Sequence, residues 1–192
     1  VPYTELITTG MSAQYMTDDQ RFAGRRPDVL VYQTGVLNKP VTLAGKLTAD
    51  LFVSTTGTDA DWVVKLIDVY PDTAREFTGN PSHIRMGGYQ QMVRSEVFSG
   101  RYRNSYNHPE PFVPDKITEI KFPLQDVLHT FQKGHRIMIQ VQSTWFPLVD
   151  RNPQKYVDNI YEAKPENFIK ATHRVYSGPD HGSRMIVKIL EE

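Results

Sequence analysis

Two aspartates, Asp59 and Asp61, are the first candidates for chemistry, because they open the string GTDADWVVKLIDVYPD in the way that a calcium-binding loop begins. An EF-hand loop would continue with a further Asp or Asn, a Gly and a Glu at position 12. Here Trp62 and Val63 follow at once and begin a run of strand-forming residues. The pattern favours a turn in which Gly57 and an Asx hydrogen bond start a strand, rather than a metal site.

Nucleophilic catalysis finds little support in the sequence. A serine-hydrolase elbow reads G-x-S-x-G between a strand and a helix, and the nearest match, GMSAQ around Ser12, lacks the final glycine. The absence of cysteine excludes thiol nucleophiles and Cys-based zinc sites. No histidine forms a metal-ligand pair, and each is interpreted as a turn or packing residue: His83, His108, His129, His135, His173 and His181. We therefore assign no catalytic residue, metal or cofactor to this chain.

Aromatic side chains offer a different chemistry, since they stack on sugars and bases. The possible members of such a platform are Trp62, Tyr89, Tyr102, Tyr106, Trp145 and Phe146. The alternative, that strand aromatics fill a core, is favoured for Trp62. Trp145 precedes Phe146-Pro147, where a strand must end, and is expected to be half exposed. Phe52 falls on the polar face of its strand, which predicts cover by a loop or another domain. Phe52 and Trp145 are thus candidates for interdomain or surface contacts.

The elements that would carry these residues are strands, because apolar residues alternate with period 2 along most of the chain. In KITEIKFPL the residues Ile120, Phe122 and Leu124 share one face, and similar alternation occurs in KLTADLFV, VRSEVF and GHRIMIQVQSTW. Each pattern predicts a half-buried strand with one wet face. Further strands are predicted at 29–33, 62–70, 172–176 and 184–190. About eight strands result.

Helical patterns are short in this sequence. A helix is predicted at Pro153 with Asn152 as its cap, and a second short turn after Pro165. Two long loops, 71–90 and 99–116, have lengths typical of functional or interdomain segments. The combination predicts an all-β fold, an antiparallel jelly-roll β-sandwich with one or two short helices.

Composition narrows the class of protein further. The 192 residues suit one large domain, and 39% of them are hydrophobic. The formal net charge of zero argues against nucleic acid or an anionic membrane as the main partner. No apolar run approaches the roughly 18 residues of a membrane span. The start, VPYTELITTG, lacks an initiator Met and a leader pattern, which favours a piece of a longer polypeptide over a mature protein whose leader was removed.

Several long strings carry a resemblance to a known group of hydrolases. They are DQRFAGRRPDVLVYQT, LFVSTTGTDADWVVKLIDVYPD, VRSEVFSGRYRNS, KGHRIMIQVQSTWFPLVDRNP and HRVYSGPDHGSRMIVKIL. In this order, from about Asp19 to Leu190, they resemble the carboxy-terminal domain of X-prolyl dipeptidyl peptidases, cocaine esterase, α-amino-acid ester hydrolases and glutaryl-7-aminocephalosporanic-acid acylase-like proteins. The resemblance implies a sandwich of galactose-binding-domain-like topology. DHGS departs from the usual His-Pro-Ser only within a turn.

The resemblance also implies that the catalytic residues lie on a different domain from this one. The catalytic triad of the family lies upstream on an α/β-hydrolase domain, so residues 1–24 would lead in from that domain and 25–192 would form a single non-catalytic sandwich. The hydrolase domain of the same polypeptide is the expected partner, and a homo-oligomer is possible. By position, Tyr3, Tyr15 and Met16 are the candidates to contact substrate at the active-site mouth. A carbohydrate-binding module and a purely structural or oligomerising domain stay open as alternatives. The compartment is left open, with export favoured over the cytoplasm.

Overall fold

Two antiparallel β-sheets dominate the computed structural model, which describes residues 17–81 and 84–191. The strands in this part of the chain are β1 (Val29–Gln33), β2 (Val41–Thr55), β3 (Asp61–Val69), β4 (Gln90–Ser99), β5 (Thr118–Phe131), β6 (Arg136–Gln142), β7 (His173–Val175) and β8 (Arg184–Ile186). A short helix, α1 (Arg21–Gly24), precedes them, and 3₁₀ turns lie at Gly100–Tyr102, Ile160–Glu162 and Pro165–Asn167. No helix of the described residues is long and apolar enough to cross a membrane.

The strand order defines two layers. The first sheet has the order β1-β6-β3-β4, and the second has the order β5-β2-β7 with β8 pairing further along β2. Every pairing is antiparallel. Apolar side chains from both sheets form one core between the layers. The predicted all-β sandwich and its strand count are therefore confirmed.

Period-2 alternation places the core correctly on the second sheet. On β5, Ile120, Phe122 and Leu124 are buried while Glu119 and Lys121 are exposed. β5 also accommodates a proline, because it is the edge strand of its sheet. The alternating residues Leu47, Ala49, Leu51 and Val53 of β2 are likewise buried.

The outer face of the first sheet is not wet, and the prediction of one wet face is wrong for β6. Met138, Gln140 and Gln142 of β6 lie on that face and are all buried. Two segments that are distant in sequence cover this face of the sheet. Residues 17–26 cross the sheet, with Gln20 donating its amide proton to the Gln90 carbonyl, and Trp145 packs on Val63 after the end of β6.

A β-bulge interrupts the period-2 alternation of VRSEVF, so the prediction from that alternation, that Val93 and Val97 of β4 share one face, is wrong. The pairing of β3 with β4 joins Leu66 to Arg94 and then Ile67 to Met92, so Val93 is the extra residue. A bulge reverses the alternation on either side of it. Val93 consequently packs against the main core, and Val97 against the cluster on the outer face.

The helix predicted at Pro153 is absent, and the segment forms a turn instead. The Asn152 side-chain oxygen accepts from the Gln154 amide at 2.8 Å, which closes an Asx turn. Gln154 has a φ of 66°, a conformation that does not continue a right-handed helix. The short turn predicted after Pro165 is confirmed as the 3₁₀ turn Pro165–Asn167.

Gly57, in the turn before β3, is predicted to be intolerant of any side chain. A Cβ there would lie 2.1 Å from the Gln154 carbonyl oxygen, so the backbone would have to move. We expect Gly57→Ala to lower the free energy of unfolding by about 1–3 kcal/mol, as overpacking does. Urea denaturation measures the loss. Gly35→Ala is the control, because a Cβ at Gly35 meets nothing within 4 Å, and an equal loss in both variants would contradict the argument.

Candidate functional site

The turn that opens β3 is built around a buried ion pair. Asp59 is fully buried, and its Oδ2 accepts hydrogen bonds from Nε of Arg101 at 3.0 Å and from Nη2. The other carboxylate oxygen accepts from the Ala60 amide at 2.9 Å. The guanidinium also donates to the Val157 carbonyl at 2.8 Å and lies 4.7 Å from the ring centroid of Tyr156. Asp59 therefore serves the turn, with both oxygens used by the protein.

Asp61 lies in the wall of an open cleft beside this turn. Burial raises the pKa of its carboxyl group, which accepts a hydrogen bond from Asn152 Nδ2 at 2.9 Å. The cleft has a volume of about 560 Å³, and Tyr102 and Tyr161 form part of its wall. No group of three metal-binding side chains occurs within residues 17–81 and 84–191. The cleft thus combines tyrosine rings with amide and carboxylate groups.

A lysine with no accessible surface lies on the covered face of the first sheet. Lys65 Nζ donates to the Gln20 side-chain oxygen at 2.8 Å and lies 4.3 Å from the ring centroid of Trp145. None of the carboxylates that the structure describes forms an ion pair with this ammonium. Burial lowers the pKa of Lys65 to about 7, and the charge of Arg26 acts in the same direction. The Lys65 ammonium is therefore stabilised by the amide dipole of the Gln20 side chain and by the indole ring of Trp145.

The segment 17–26 is fastened to the sandwich by Arg21. Its guanidinium pairs with Asp19, with 2.6 Å between Nε and Oδ2, and donates to the carbonyls of Gly87 and Arg85 at 2.8 Å each. These carbonyls belong to the long loop 71–90, whose length is typical of functional or interdomain segments. The guanidinium thereby joins the segment and the loop into one surface.

We expect Arg21→Ala to release the segment from the sheet. The loop carbonyls lose their donors, and Asp19 loses its counter-charge in a half-buried site. Amide hydrogen exchange should accelerate by about tenfold or more across residues 19–24, because local opening becomes easier. Arg174→Ala breaks an exposed ion pair with Asp115 and should leave that exchange unchanged. Equal exchange in both variants would show that Arg21 does not fasten the segment.

Two histidines share one carboxylate at the far end of β3. Asp68 is buried, with its Oδ2 2.9 Å from His129 Nε2 and its Oδ1 2.8 Å from His135 Nδ1. The sequence pattern does not reveal this cluster, because Asp68 lies more than sixty positions away from both histidines. His181, by contrast, packs in a turn as predicted, 5.3 Å from the ring of Phe52.

Comparison with known proteins places this geometry in a family. Residues 8–186 match the family described as the X-Pro dipeptidyl-peptidase C-terminal non-catalytic domain. The chain belongs to this family. The resemblance found in the sequence is thereby confirmed, and the match covers both sheets of the sandwich and the segment that crosses it.

Relatives of this C-terminal non-catalytic domain are much longer proteins. The cocaine esterase of Rhodococcus sp. (strain MB1 Bresler) is 34% identical over 173 residues, which are 90% of this chain and 27% of that protein. The crystal structure of an aminopeptidase from a marine sediment Thaumarchaeota archaeon is 47% identical with a TM-score of 0.86, and covers 100% of this chain and 31% of its own. An α-amino acid ester hydrolase is 47% identical with a TM-score of 0.84, covering 92% and 28%. The chain therefore spans less than a third of each relative.

The predicted interdomain aromatics occupy different environments in this non-catalytic domain. Trp145 is only 5% exposed, so the expectation of a half-exposed ring is wrong. The chain folds back over the first sheet after β6 and lays the indole on Val63 and Lys65, while the neighbouring Phe146 is 52% exposed. Phe52 points outward as predicted and lies beneath the turn that contains Ser183, whose Oγ accepts from the Phe52 amide at 3.0 Å. An interdomain contact of either ring stays a prediction.

Three predicted site residues, Tyr3, Tyr15 and Met16, lie outside the described residues, as do Ser12 and His83. The boundary proposed at 24/25 stays a prediction. Within the described part, α1 packs on the sandwich, and Ala23 is buried. The signal that sequence reasoning missed was Lys65 itself, a charged residue in the middle of a run of strand-forming residues.

Proposed function

We propose that this chain is the non-catalytic C-terminal sandwich of a serine hydrolase of the acyl esterase, acylase or X-Pro dipeptidyl-peptidase type. It packs on the α/β-hydrolase domain of the same polypeptide and helps shape the entrance to its active site. The observation that carries the proposal is the family match together with the length of the relatives, hydrolases in which this domain is less than a third of the chain.

The reaction of the longer polypeptide would be acyl transfer. A serine on the catalytic domain attacks an ester or amide carbonyl while a histidine takes its proton. The histidine passes that proton to the departing alcohol or amine as the acyl-enzyme forms, and water or an amine then resolves the acyl-enzyme. The sandwich enters no covalent step. Its contribution is to position and enclose the substrate, which raises the rate by holding the reacting groups in place. Tyr3, Tyr15 and Met16 are the proposed contacts at the mouth.

The test compares three proteins: this chain, the longer polypeptide that contains it, and that polypeptide without the sandwich. This chain should not hydrolyse p-nitrophenyl or aminoacyl esters above background, whereas the longer polypeptide should turn over one of them. Removal of the sandwich should lower kcat/KM by about tenfold or more if it shapes the entrance. Unchanged turnover with lost assembly would support a purely structural role. Turnover by this chain that disappears in Ser12→Ala would contradict its non-catalytic assignment.

Carbohydrate binding is a second candidate, favoured by the cleft beside Asp61. The stacking member cannot be Trp145, which is buried. Tyr161 is 81% exposed in the cleft wall, and Tyr102 stacks with Tyr106 at 5.9 Å between ring centroids. Glycan binding that Tyr161→Ala abolishes would support this function, with Leu128→Ala, a similarly exposed side chain on β5, as the control. Absence of binding across a panel of neutral sugars would reject it.

A further inference from the structure

The two edges of the sandwich are closed to different extents. On the β4–β5 side, the rings of Phe98 and Phe122 stack at 4.5 Å with 6° between their planes, and Arg94 Nε donates to the Asp126 carbonyl at 2.7 Å. On the other side, β1 ends the first sheet, and β7 and β8 end the second. Leu30 and Tyr32 pair with Val141 and Ile139 of β6, so they share the face that carries Val141 into the core. They are nevertheless 41% and 43% exposed.

A crevice lies at this open edge, between β1 on one sheet and β7 and β8 on the other. One part, of about 190 Å³, is lined by Tyr32 and Met185, and almost all of its lining is apolar. The adjoining part, of about 270 Å³, is lined by Leu30 and Trp62. Val141 and Val175 belong to the walls of both parts, so the two parts adjoin each other. Apolar side chains on the core-facing side of β1 are therefore exposed at this edge, at Leu30 and at Tyr32.

Two buried polar atoms at this crevice have no hydrogen-bond partner within residues 17–81 and 84–191. They are Nε1 of Trp62, a residue that is 1% exposed, and Nδ1 of His173. Both residues line the larger part of the crevice, with ring centroids 5.4 Å apart. Buried donors and acceptors in native proteins are almost always paired, because desolvation without a partner is costly. The site therefore calls for a ligand that brings polar atoms as well as apolar surface.

The chemistry of the edge indicates which ligand fits. β1 reads VLVYQ and contains neither a charged residue nor a proline. An edge strand without these protecting residues favours pairing with an added strand. The two charged residues at the mouths are already paired, Asp28 with Arg26 at 2.5 Å and Arg184 with Asp50 at 2.7 Å. An extended backbone supplies carbonyl and amide groups, and its alternate side chains supply apolar surface. An uncharged ligand leaves both of these ion pairs intact.

We propose that an extended, uncharged segment of the remaining polypeptide runs along this crevice as an additional strand and closes the sandwich. This inference rests on the proposed function, since it needs a longer polypeptide. Relatives in which this chain makes up 27–31% of the length carry ample sequence for such a segment. The segment covers Leu30 and Tyr32 and provides partners for Trp62 Nε1 and His173 Nδ1. The sandwich and the hydrolase part then share one core.

The experiment uses thiol labelling in the longer polypeptide. This chain contains no cysteine, so Leu30→Cys and Tyr32→Cys each place one new thiol in the crevice wall. Leu128→Cys is the matched control, because Leu128 is 76% exposed on β5, away from the open edge. Maleimide labelling of each site is followed by peptide mass spectrometry, in native buffer and in urea. Two crevice positions keep the test valid if one variant fails to fold.

Expected results differ by site. The control should label at a native rate within about threefold of its rate in urea, and both crevice thiols at least about tenfold more slowly than in urea. Crevice thiols that label as fast as the control overturn the proposal. Protection that disappears on dilution indicates a second copy of the chain and also overturns it. Ester hydrolysis by the same polypeptide tests the proposed function separately, so fast labelling of an active hydrolase rejects this inference alone.

Discussion

Replacing Lys65 with methionine is expected to raise the free energy of unfolding at pH 7 by about 2 kcal/mol or more. In the folded chain the amine is completely buried, with a pKa lowered from 10.5 to about 7. Each unit of pKa difference corresponds to about 1.4 kcal/mol, so the penalty at neutral pH is on the order of 5 kcal/mol. The variant removes this penalty and loses the hydrogen bond to Gln20 and the contact with Trp145, which together offset part of the gain.

The gain should depend on pH in a defined direction. Between about pH 7 and 10.5 the unfolded chain binds the lysine proton and the folded chain releases it, so the stability of the parent chain rises with pH. Below about pH 7 both states are protonated and the penalty is constant. The difference in stability between Lys65→Met and the parent should therefore be largest at and below about pH 7 and fall toward zero, or change sign, near pH 10.5.

Urea denaturation at a series of pH values measures both effects. Lys133→Met is the matched control, since Lys133 is exposed and its replacement should change stability by less than about 0.5 kcal/mol at every pH. A destabilised Lys65→Met protein at pH 7 would show that the amine gains more from Gln20 and Trp145 than it loses by desolvation. A gain in the free energy of unfolding that does not change with pH would show that the effect of the substitution does not depend on the protonation of Lys65.

Local patterns predicted the parts of the fold that depend on one strand and its two neighbours. Ile120, Phe122 and Leu124 followed period 2 into the core, because β5 has one buried face. The same rule misplaced Gln140 on β6, since both faces of that strand are covered. Periodicity reports how residues divide between two faces. It does not report whether a second layer, here residues 17–26, will cover the polar one.

Local sequence patterns do not predict contacts between residues that are distant in sequence. Asp59 was correctly predicted to shape a turn, yet nothing local pairs it with Arg101, 42 positions away. The carboxylate of Asp68 meets two histidines only because β3 lies against β6. The residues alone predict a β-sandwich without an active site. The proposed function comes from the resemblance to a family. Neither the local pattern nor the resemblance predicts the burial of Trp145, because the turn that buries it is set by tertiary packing.

The ion pair of Asp59 and Arg101 is expected to be the costliest single contact to break in this domain. Asp59→Asn keeps the size of the side chain but leaves the guanidinium buried without a counter-charge, at 5% side-chain exposure. Removal of one partner of a buried pair typically costs about 3–5 kcal/mol, and we expect a loss of that size in urea denaturation. Asp115→Asn is the matched control, because its pair with Arg174 is exposed on both sides and should contribute less than about 1 kcal/mol.

A double variant separates the charge from the turn that contains it. In Asp59→Asn combined with Arg101→Met, no uncompensated charge remains, so part of the lost stability should return. Similar losses for the double variant and Asp59→Asn would mean that the turn depends on the hydrogen bonds to Ala60 and Val157 rather than on charge. A loss below about 1 kcal/mol for Asp59→Asn would contradict the pairing itself. Because the turn positions the cleft and the first residue of β3, glycan binding at Tyr161, if present, should weaken in parallel with the loss of stability.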